Sequence, residues 1–214
     1  MKKLGIGCAI LVVLGLIVLF FIATAAMSYN HLVRVSQNTD SKWAQVENVY
    51  QRRADLVPNL VATVSGAANF EKSTLTEVTQ ARASVGQVKI DPNSAPTDGT
   101  KLEQYDQAQT QLSSALSRLL VVVERYPDLK ANANFRDLQA QLEGTENRIA
   151  VARMDFNNAA QSYNVAIKSF PALMYAGAFG FHPKPYFTAT PGAENAPKVQ
   201  FDFNGGASNP AGNK

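Results

Sequence analysis

Apolar side chains recur every three or four residues along most of this chain, which is the spacing of one face of an α-helix. Three long segments with this spacing follow an unbroken apolar run at the amino terminus. In the second segment the steps alternate strictly between three and four, as in the seam of a packed helix. The pattern predicts an all-α protein in which long helices pack side by side. The apolar-face positions of the second segment are Leu102, Tyr105, Gln109, Leu112, Leu116, Leu119, Val123 and Tyr126.

The amino-terminal run, residues 4–27, contains no charged side chain. Its 24 residues exceed the about 20 that a helix needs to cross the hydrocarbon core of a bilayer. A single crossing segment must be helical, because a lone strand would leave its backbone polar groups unsatisfied. The alternative is a signal peptide cleaved after Ala25, but the apolar core of such a peptide is only about 7–15 residues long. We therefore predict an N-terminal transmembrane helix at residues 4–27, in contact with the lipid bilayer.

The charges that flank this run predict its orientation. Lys2 and Lys3 form a tight cluster with the terminal amine on one side, whereas Arg34 and Lys42 are spread along the other. Positive charge near a membrane span favours the cytoplasmic side. We expect a cytoplasmic N-terminal tail at residues 1–3, a single pass through the cytoplasmic (inner) membrane, and the remainder of the chain on the extracytoplasmic side.

The first segment after the anchor covers residues 43–85 and contains Pro58, which removes one backbone hydrogen bond from a helix. Because the apolar spacing continues in phase beyond it, we expect a kink near Ala54–Pro58 and no true break. Closely spaced turn residues predict a loop at residues 86–100. The apolar positions of this segment are Trp43, Val46, Tyr50, Val57, Leu60, Val64, Ala68, Leu75, Val78 and Val85.

The third segment begins beside Asn132 and Asn134, either of which can cap the first turn of a helix. It ends at Phe170, because Pro171 pushes the preceding residue out of helical geometry. A proline at position 127 ends the second segment in the same way. The apolar positions of the third segment are Phe135, Leu138, Leu142, Thr145, Ile149, Ala152, Phe156, Ala159, Tyr163, Ile167 and Phe170.

The domain boundaries follow from these segments. Short connections between long helices predict an antiparallel up-and-down bundle, which we place at residues 28–187. Within it, Leu173–Gly180 is expected to form one more short helical piece. Residues 188–214 are a tail rich in proline and glycine, with a short extended segment expected at residues 199–203. Residues 204–214 are expected to be disordered.

The net charge of +3 belongs largely to the flank of the anchor. Lys2 and Lys3 are two of the 20 basic residues, so the chain after the anchor carries 18 basic and 17 acidic side chains. A body so nearly neutral has no excess of positive charge with which to displace the counterions of a phosphate backbone. We therefore expect no nucleic-acid partner.

Candidate catalytic and metal-binding residues are few. His31 and His182 lie near opposite ends of the chain, whereas a zinc site needs several ligands at short spacings. Cys8 is the one cysteine and lies in the apolar run, where we expect it to be a small apolar residue and not a lipidation site. The sequence therefore predicts no catalytic, cofactor-binding or metal-binding residues, no cofactor, and no enzymatic activity.

The charged residues instead predict a structural network. Arg53 lies at an apolar-face position of the first segment, and Glu143 and Glu146 lie in the third. We expect an interhelical ion pair between Arg53 and one of these two carboxylates. Arg153 lies seven residues after Glu146, two turns along the same face, and Arg148 lies between them. The alternative is a solvated charged face, in which each pair contributes only about 0–1 kcal/mol.

Four blocks of sequence stand in order along residues 29–187, followed by Tyr163-Asn164. The blocks are RRADLVPNL at 52–60, EVTQAR at 77–82, ERYPDLKAN at 124–132 and LEGTENRIAVAR at 142–153. Together they resemble the LemA family of bacterial membrane-anchored proteins. The resemblance implies an N-terminal anchor and a helical-bundle body, and it implies no particular enzymatic activity, cofactor or substrate.

The function predicted from the sequence is that of a non-catalytic interaction or scaffold protein at the cell envelope, whose partner is another envelope protein. The alternative is a sensor or small-ligand-binding module with a cavity between the helices near Pro58. A solid core with an exposed apolar groove would favour the first function, and a polar pocket would favour the second. The sequence makes no prediction about the oligomeric state.

Overall fold

The computed structural model describes the backbone of residues 2–66 and 70–188, with side chains from residue 11 onward. These residues form five α-helices, one 3-10 turn and no strand, which confirms the all-α prediction. The elements are α1 (Lys2–Ser65), α2 (Lys72–Gln87), α3 (Gly99–Val123), α4 (Pro127–Ala131), α5 (Ala133–Lys168) and a 3-10 turn at Ala172–Met174. The expectations for the extended segment at 199–203 and for disorder at 204–214 lie outside the described residues.

The first helix, α1, joins the apolar run to the bundle without interruption. It contains 64 residues, so it is about 96 Å long at a rise of 1.5 Å per residue. The large apolar side chains of residues 11–22 are exposed, and the helix is long and apolar enough to cross a membrane. The apolar run and the first bundle helix are therefore one element, and residues 28–42 connect them as helix.

The first predicted segment, residues 43–85, consists of two helices and not one. As expected, the chain does not break at Pro58, and the carbonyl group that this proline leaves free, that of Ala54, accepts a hydrogen bond from Arg82 Nε at 2.9 Å. The prediction of a continuous helix is nevertheless wrong, because α1 ends at Ser65 and α2 starts at Lys72. Gly66 directly follows α1, and glycine is the residue most favoured just past a helix end.

The four long helices alternate in direction. Contacts between α1 and α5 run in opposite senses along the two helices: Lys42 pairs with Asp155 at 2.9 Å, and Arg53 pairs with Glu146 at 2.7 Å. The α2–α3 pair packs against the C-terminal half of α1 and the N-terminal half of α5, and Arg82 of α2 donates a hydrogen bond to the Ala54 carbonyl group of α1. The predicted antiparallel up-and-down arrangement is confirmed.

The connection into α5 confirms one of the two predicted caps. Asn132 lies between the short helix α4 and α5, and its Oδ1 accepts hydrogen bonds from the backbone N–H groups of Asn134 and Phe135 at 2.9 and 3.3 Å. These two donors would otherwise lack partners at the start of the helix. Asn134 itself lies within the first turn.

The core consists of three apolar clusters along the bundle axis. We name them by their distance from the amino-terminal apolar run. The distal cluster contains Leu60 and Leu119, the middle cluster contains Trp43, and the proximal cluster contains Leu32 and Ile167. The predicted apolar face of α1 began at Trp43, but Leu32 is also completely buried. The core therefore extends about three helical turns closer to the anchor than the sequence pattern indicated.

Residues 171–188 cover the part of the α1–α5 pair that α2 and α3 do not reach. Lys184 is buried, and its Nζ donates to Asp40 Oδ1 and to the Ala95 carbonyl group, both at 3.0 Å. The short helical piece expected at Leu173–Gly180 is a single 3-10 turn followed by hydrogen-bonded turns. Phe170, predicted to face the core, is exposed, because α5 has already ended at Lys168.

Two asparagine side chains of α5 hold this returning segment by pairing with its backbone. Asn164 donates to the carbonyl group of Lys184 and accepts from its N–H group, with both distances 2.8 Å. Asn157 makes the same two bonds to Phe187, both at 2.9 Å. Since buried backbone groups must find hydrogen-bond partners, these amides allow an extended segment to lie against a helix. The ring of Phe187 can then stack on Trp43, with centroids 6.1 Å apart.

Candidate functional site: a buried charged layer and an adjoining groove

A layer of charged and polar side chains crosses the bundle interior between the distal and middle apolar clusters. It is formed by α1, α3 and α5, and we call it the buried charged layer. Its members are Glu47, Tyr50, Arg53, Tyr105, Asp106, Gln109, Ser113, Glu146 and Arg153.

Arg53 is the centre of this layer, with only 1% of its side chain exposed. Its Nη1 donates to Glu146 Oε1 at 2.7 Å and to Ser113 Oγ at 2.6 Å. Its Nη2 donates to the backbone carbonyl group of Gln109 at 3.3 Å and also to the Gln109 side-chain oxygen. A buried guanidinium group needs this many partners, because an unpaired buried charge is strongly destabilising. One arginine thereby joins α1 to both α3 and α5.

The sequence predicted Arg53 to pair with Glu143 or Glu146, and the structure identifies Glu146. Glu143 is exposed on the surface of α5 and accepts a hydrogen bond from Gln139 at 3.0 Å. Arg148 is exposed as well. The two carboxylates lie one turn apart and are offset by about 60° around α5, and Glu146 is the one on the side that faces Arg53.

Arg153 makes the second ion pair of the layer. Its Nη1 lies 2.8 Å from Asp106 Oδ1 and its Nη2 donates to Oδ2 at 3.2 Å, the two-pronged geometry that arginine favours with carboxylates. The guanidinium group also lies over the ring of Phe187, 4.4 Å from the centroid. The seven-residue spacing predicted that Glu146 and Arg153 face the same neighbouring helix, but Glu146 pairs with α1 and Arg153 pairs with α3.

Burial perturbs the titrating groups at the end of the layer nearer the middle apolar cluster. The Tyr105 hydroxyl donates to Glu47 Oε2 at 3.1 Å. Burial raises the pKa of Glu47, and the Tyr105 hydrogen bond only partly offsets this increase. Burial also raises the pKa of Tyr50 to about 12 and raises the pKa of Tyr105. The two tyrosines therefore remain neutral at physiological pH.

The chemistry of the layer suits a structural role. Its two arginines each have a carboxylate partner, and its tyrosines titrate far above neutrality. Across residues 11–66 and 70–188, no group of three or more histidine, cysteine, aspartate or glutamate side chains converges as a metal site would require. His31 and His182 are both exposed. The layer is well placed to fix which helices face each other and in what register.

A shallow groove of about 460 Å³ opens on the outer surface between α1 and α5, at the level of the middle cluster. We call it the α1–α5 groove. Its surface is mostly apolar, and Val151 is an exposed apolar side chain within it. The residues that line it are Gln45, Asn48, Val49, Asn147, Arg148, Val151, Ala152 and Asp155.

Sequence reasoning missed the contribution of α3 to the buried charged layer. Gln109 was placed on the apolar face of the second segment, and a polar residue at such a position was the available signal. Tyr105 and Asp106 are consecutive residues, and consecutive residues do not lie on the same face of a helix. The apolar spacing therefore assigned Tyr105 to the apolar face and left Asp106 out. The partners of Gln109 and Asp106 lie 56 and 47 residues away along the chain, so no local spacing could identify them.

Comparison with known proteins identifies several relatives. A family model described as "LemA family" matches residues 42–201, a range that includes the whole buried charged layer. Magnetosome protein MamQ 2 of Paramagnetospirillum magneticum is 30% identical over 214 residues, covering 90% of this chain and 77% of that protein. Magnetosome protein MamQ of Magnetospirillum gryphiswaldense is 28% identical over 193 residues, covering 81% and 70%. Protein LemA of Metamycoplasma hominis is 26% identical over 160 residues, covering 72% and 68%.

Proposed function

The chain belongs to the LemA family, and we propose that it is a non-catalytic interaction protein held at the cell envelope by α1. In this proposal residues 4–27 span the cytoplasmic membrane and the bundle stands on the extracytoplasmic side. The bundle binds another envelope protein through the α1–α5 groove. The proposal rests on one observation, which is that a solid core lies beneath an exposed apolar groove.

The interior near Pro58 is packed with side chains. Val57 and Leu60 are buried beside it, and Arg53, one turn away, fills the space between α1, α3 and α5. A small-ligand-binding module of the kind weighed from the sequence would need a cavity at this level. The packing here favours an interaction protein over such a module.

The α1–α5 groove has the composition of a protein-binding surface. Val49, Val151 and Ala152 provide apolar area, and Arg148 and Asp155 provide charge at the edge. An apolar patch with a polar rim is typical of surfaces that bind other proteins. The two helices that form the groove are held together by buried contacts along their length, so the surface is preorganised and little entropy is lost when a partner binds.

Site-specific photo-crosslinking in living cells tests this proposal. A photoreactive amino acid at position 151 of the full-length chain should capture one defined partner protein. The same group at position 121, where Val121 is an even more exposed apolar residue on α3, is the matched control and should capture none. Charge reversal of the neighbouring Arg148 to glutamate should reduce the yield from position 151. Equal adducts from both positions, or an adduct containing only a second copy of the chain, would contradict the proposal.

A further inference from the structure

We propose that residues 169–181, here called the proximal segment, form a second membrane-contacting surface that lies in the boundary between lipid headgroups and acyl chains. The proposal rests on the proposed function in one respect, because it requires residues 4–27 to span a bilayer. It adds that the bundle is seated on the membrane surface as well as tethered to it.

The proximal segment exposes large apolar side chains. Phe170, Leu173, Met174 and Phe179 are all exposed, the third of them to 76% of its surface. The segment contains no charged residue. Single apolar residues scattered over a surface are ordinary. Four within ten residues form a patch, and such patches typically mark a surface that contacts another protein or a membrane.

Two small residues of the same segment are buried. Ala172 and Ala176 pack against Leu32 and Ile167 in the proximal cluster. The four large apolar side chains named above thus point outward, whereas Ala172 and Ala176 point inward. In water this arrangement forgoes the free energy of burying the larger apolar area, whereas in lipid the outward side chains gain that free energy.

The segment also reaches into the depth of the apolar run. Tyr175 and Phe179 line a nearly wholly apolar groove of about 580 Å³ together with Ile22 and Ala25 of α1. Ile22 lies five residues before the end of the run at residue 27, so the segment descends about 7 Å along α1 below that point. Amphipathic segments that lie in the membrane interface are buried to a similar depth, about 5–10 Å.

The length of the run places this groove at the membrane boundary. Residues 4–27 are about 36 Å long as a helix, against about 30 Å for the hydrocarbon core. If the run is centred, the core ends near Ala25, at the level of the Tyr29 and Phe179 rings, whose centroids are 5.5 Å apart. Tyrosine is enriched at this level of a membrane protein.

Two basic residues lie farther from the apolar run than these aromatic rings. Arg34, nine residues beyond Ala25 on α1, and Lys168, directly before the proximal segment, are both exposed. Their side chains are long enough to extend toward lipid phosphate groups while their apolar stems pack against the protein. Apolar, aromatic and basic side chains therefore follow one another in the order in which a bilayer presents acyl chains, interface and headgroups. This order favours lipid over a partner protein as the occupant.

Depth-dependent fluorescence quenching tests the inference on the full-length chain. A single cysteine replaces Met174 in a Cys8→Ala background and carries an environment-sensitive fluorophore. The protein is reconstituted into vesicles of phosphatidylcholine and phosphatidylglycerol. Lipids with a nitroxide on a shallow acyl carbon should quench this label, and aqueous iodide should quench it several-fold less than the same label at position 121. Val121 is the matched control, because it is 70% exposed and lies at the far end of the bundle.

A third label, at Val18 in the apolar run, separates the two proposals. If position 18 is quenched by the nitroxide lipids and position 174 is as open to iodide as position 121, the anchor stands and the second membrane surface is refuted. If position 174 is shielded from both quenchers, a protein or a second copy covers the segment, which also refutes it. If position 18 is not quenched by lipid, the proposed membrane anchoring itself fails. Leu173→Cys repeats the measurement at a neighbouring exposed site.

Discussion

Replacing Glu146 by alanine tests the structural role of the buried charged layer. The change removes the carboxylate that pairs with the Arg53 guanidinium group, which is 1% exposed, whereas 43% of the Glu146 side chain is exposed. Breaking a fully buried ion pair costs about 3–5 kcal/mol, and breaking an exposed one costs about 0–1 kcal/mol. Because Arg53 keeps Ser113 and Gln109 as partners, we expect the loss of a charged hydrogen bond, about 1.5–3 kcal/mol of unfolding free energy.

Trp43 provides the assay, because it is the one tryptophan of the chain and is completely buried in the middle cluster. Its fluorescence should shift to longer wavelength as the full-length protein unfolds in urea, in a mild detergent. With a slope of about 2 kcal/mol per molar urea, Glu146→Ala should lower the midpoint by about 1 M. Glu143→Ala is the matched control, one turn away on the same helix, and should change the unfolding free energy by less than about 0.5 kcal/mol.

An unfolding curve for Glu146→Ala that overlays both the wild type and Glu143→Ala would refute this reasoning. The pair would then behave as a solvated surface contact, despite the burial of its arginine. Glu146 would be available for contact with a partner, and the register of α1 against α5 would have to be fixed by apolar packing alone.

The remaining predictions concern one titrating group, one buried lysine and the orientation of the bundle. Because burial raises the pKa of Glu47 above its ordinary value of 4.5, the wild type gains stability as the pH falls through that raised pKa. Urea titrations should therefore find Glu47→Gln more stable than the wild type at pH 7, with the difference gone at pH 4, and an equal difference at both values would contradict this. Asp40→Ala leaves the buried Lys184 without its carboxylate, so hydrogen exchange in the peptide containing that lysine should become much faster; unchanged protection would show that the ion pair does not hold the segment. A cysteine at Val121 in a Cys8→Ala background should react in cells with a membrane-impermeant thiol reagent once any outer wall is permeable, and reaction only after the inner membrane is broken would reverse the orientation.

The sequence predicted the helices and one key contact because both leave a periodic signal. Apolar spacing identified α3 and α5, and a charge at an apolar-face position identified Arg53 with Glu146 as one of two partners. The same periodic signal gave no indication that α1 ends at Ser65. The spacing continued in phase from α1 into α2, so the pattern placed the only irregularity at Pro58, while the true break follows Ser65.

The returning segment after α5 could not be predicted in the same way. Residues 182–188 are extended and have no period, and their partners on α5 are the side-chain amides of Asn157 and Asn164. These amides pair with backbone groups 20 to 30 residues later, and such groups carry no residue-type signal. Lys184 reaches Asp40 across 144 residues of sequence. The core nearest the apolar run likewise joins Leu32 of α1 to residues 163–176, which are too distant in sequence to leave a local pattern, and the predicted core therefore stopped too early.

Direct binding of the captured partner tests the central claim that this chain is an interaction protein whose α1–α5 groove is the binding surface. The protein captured from position 151 is purified and titrated against the full-length chain, against Val151→Glu and against Val121→Glu. We predict that the charge in the groove weakens the affinity at least about tenfold, equivalent to about 1.4 kcal/mol, and that the same charge at position 121 leaves it unchanged. Equal affinities for all three proteins would contradict the account.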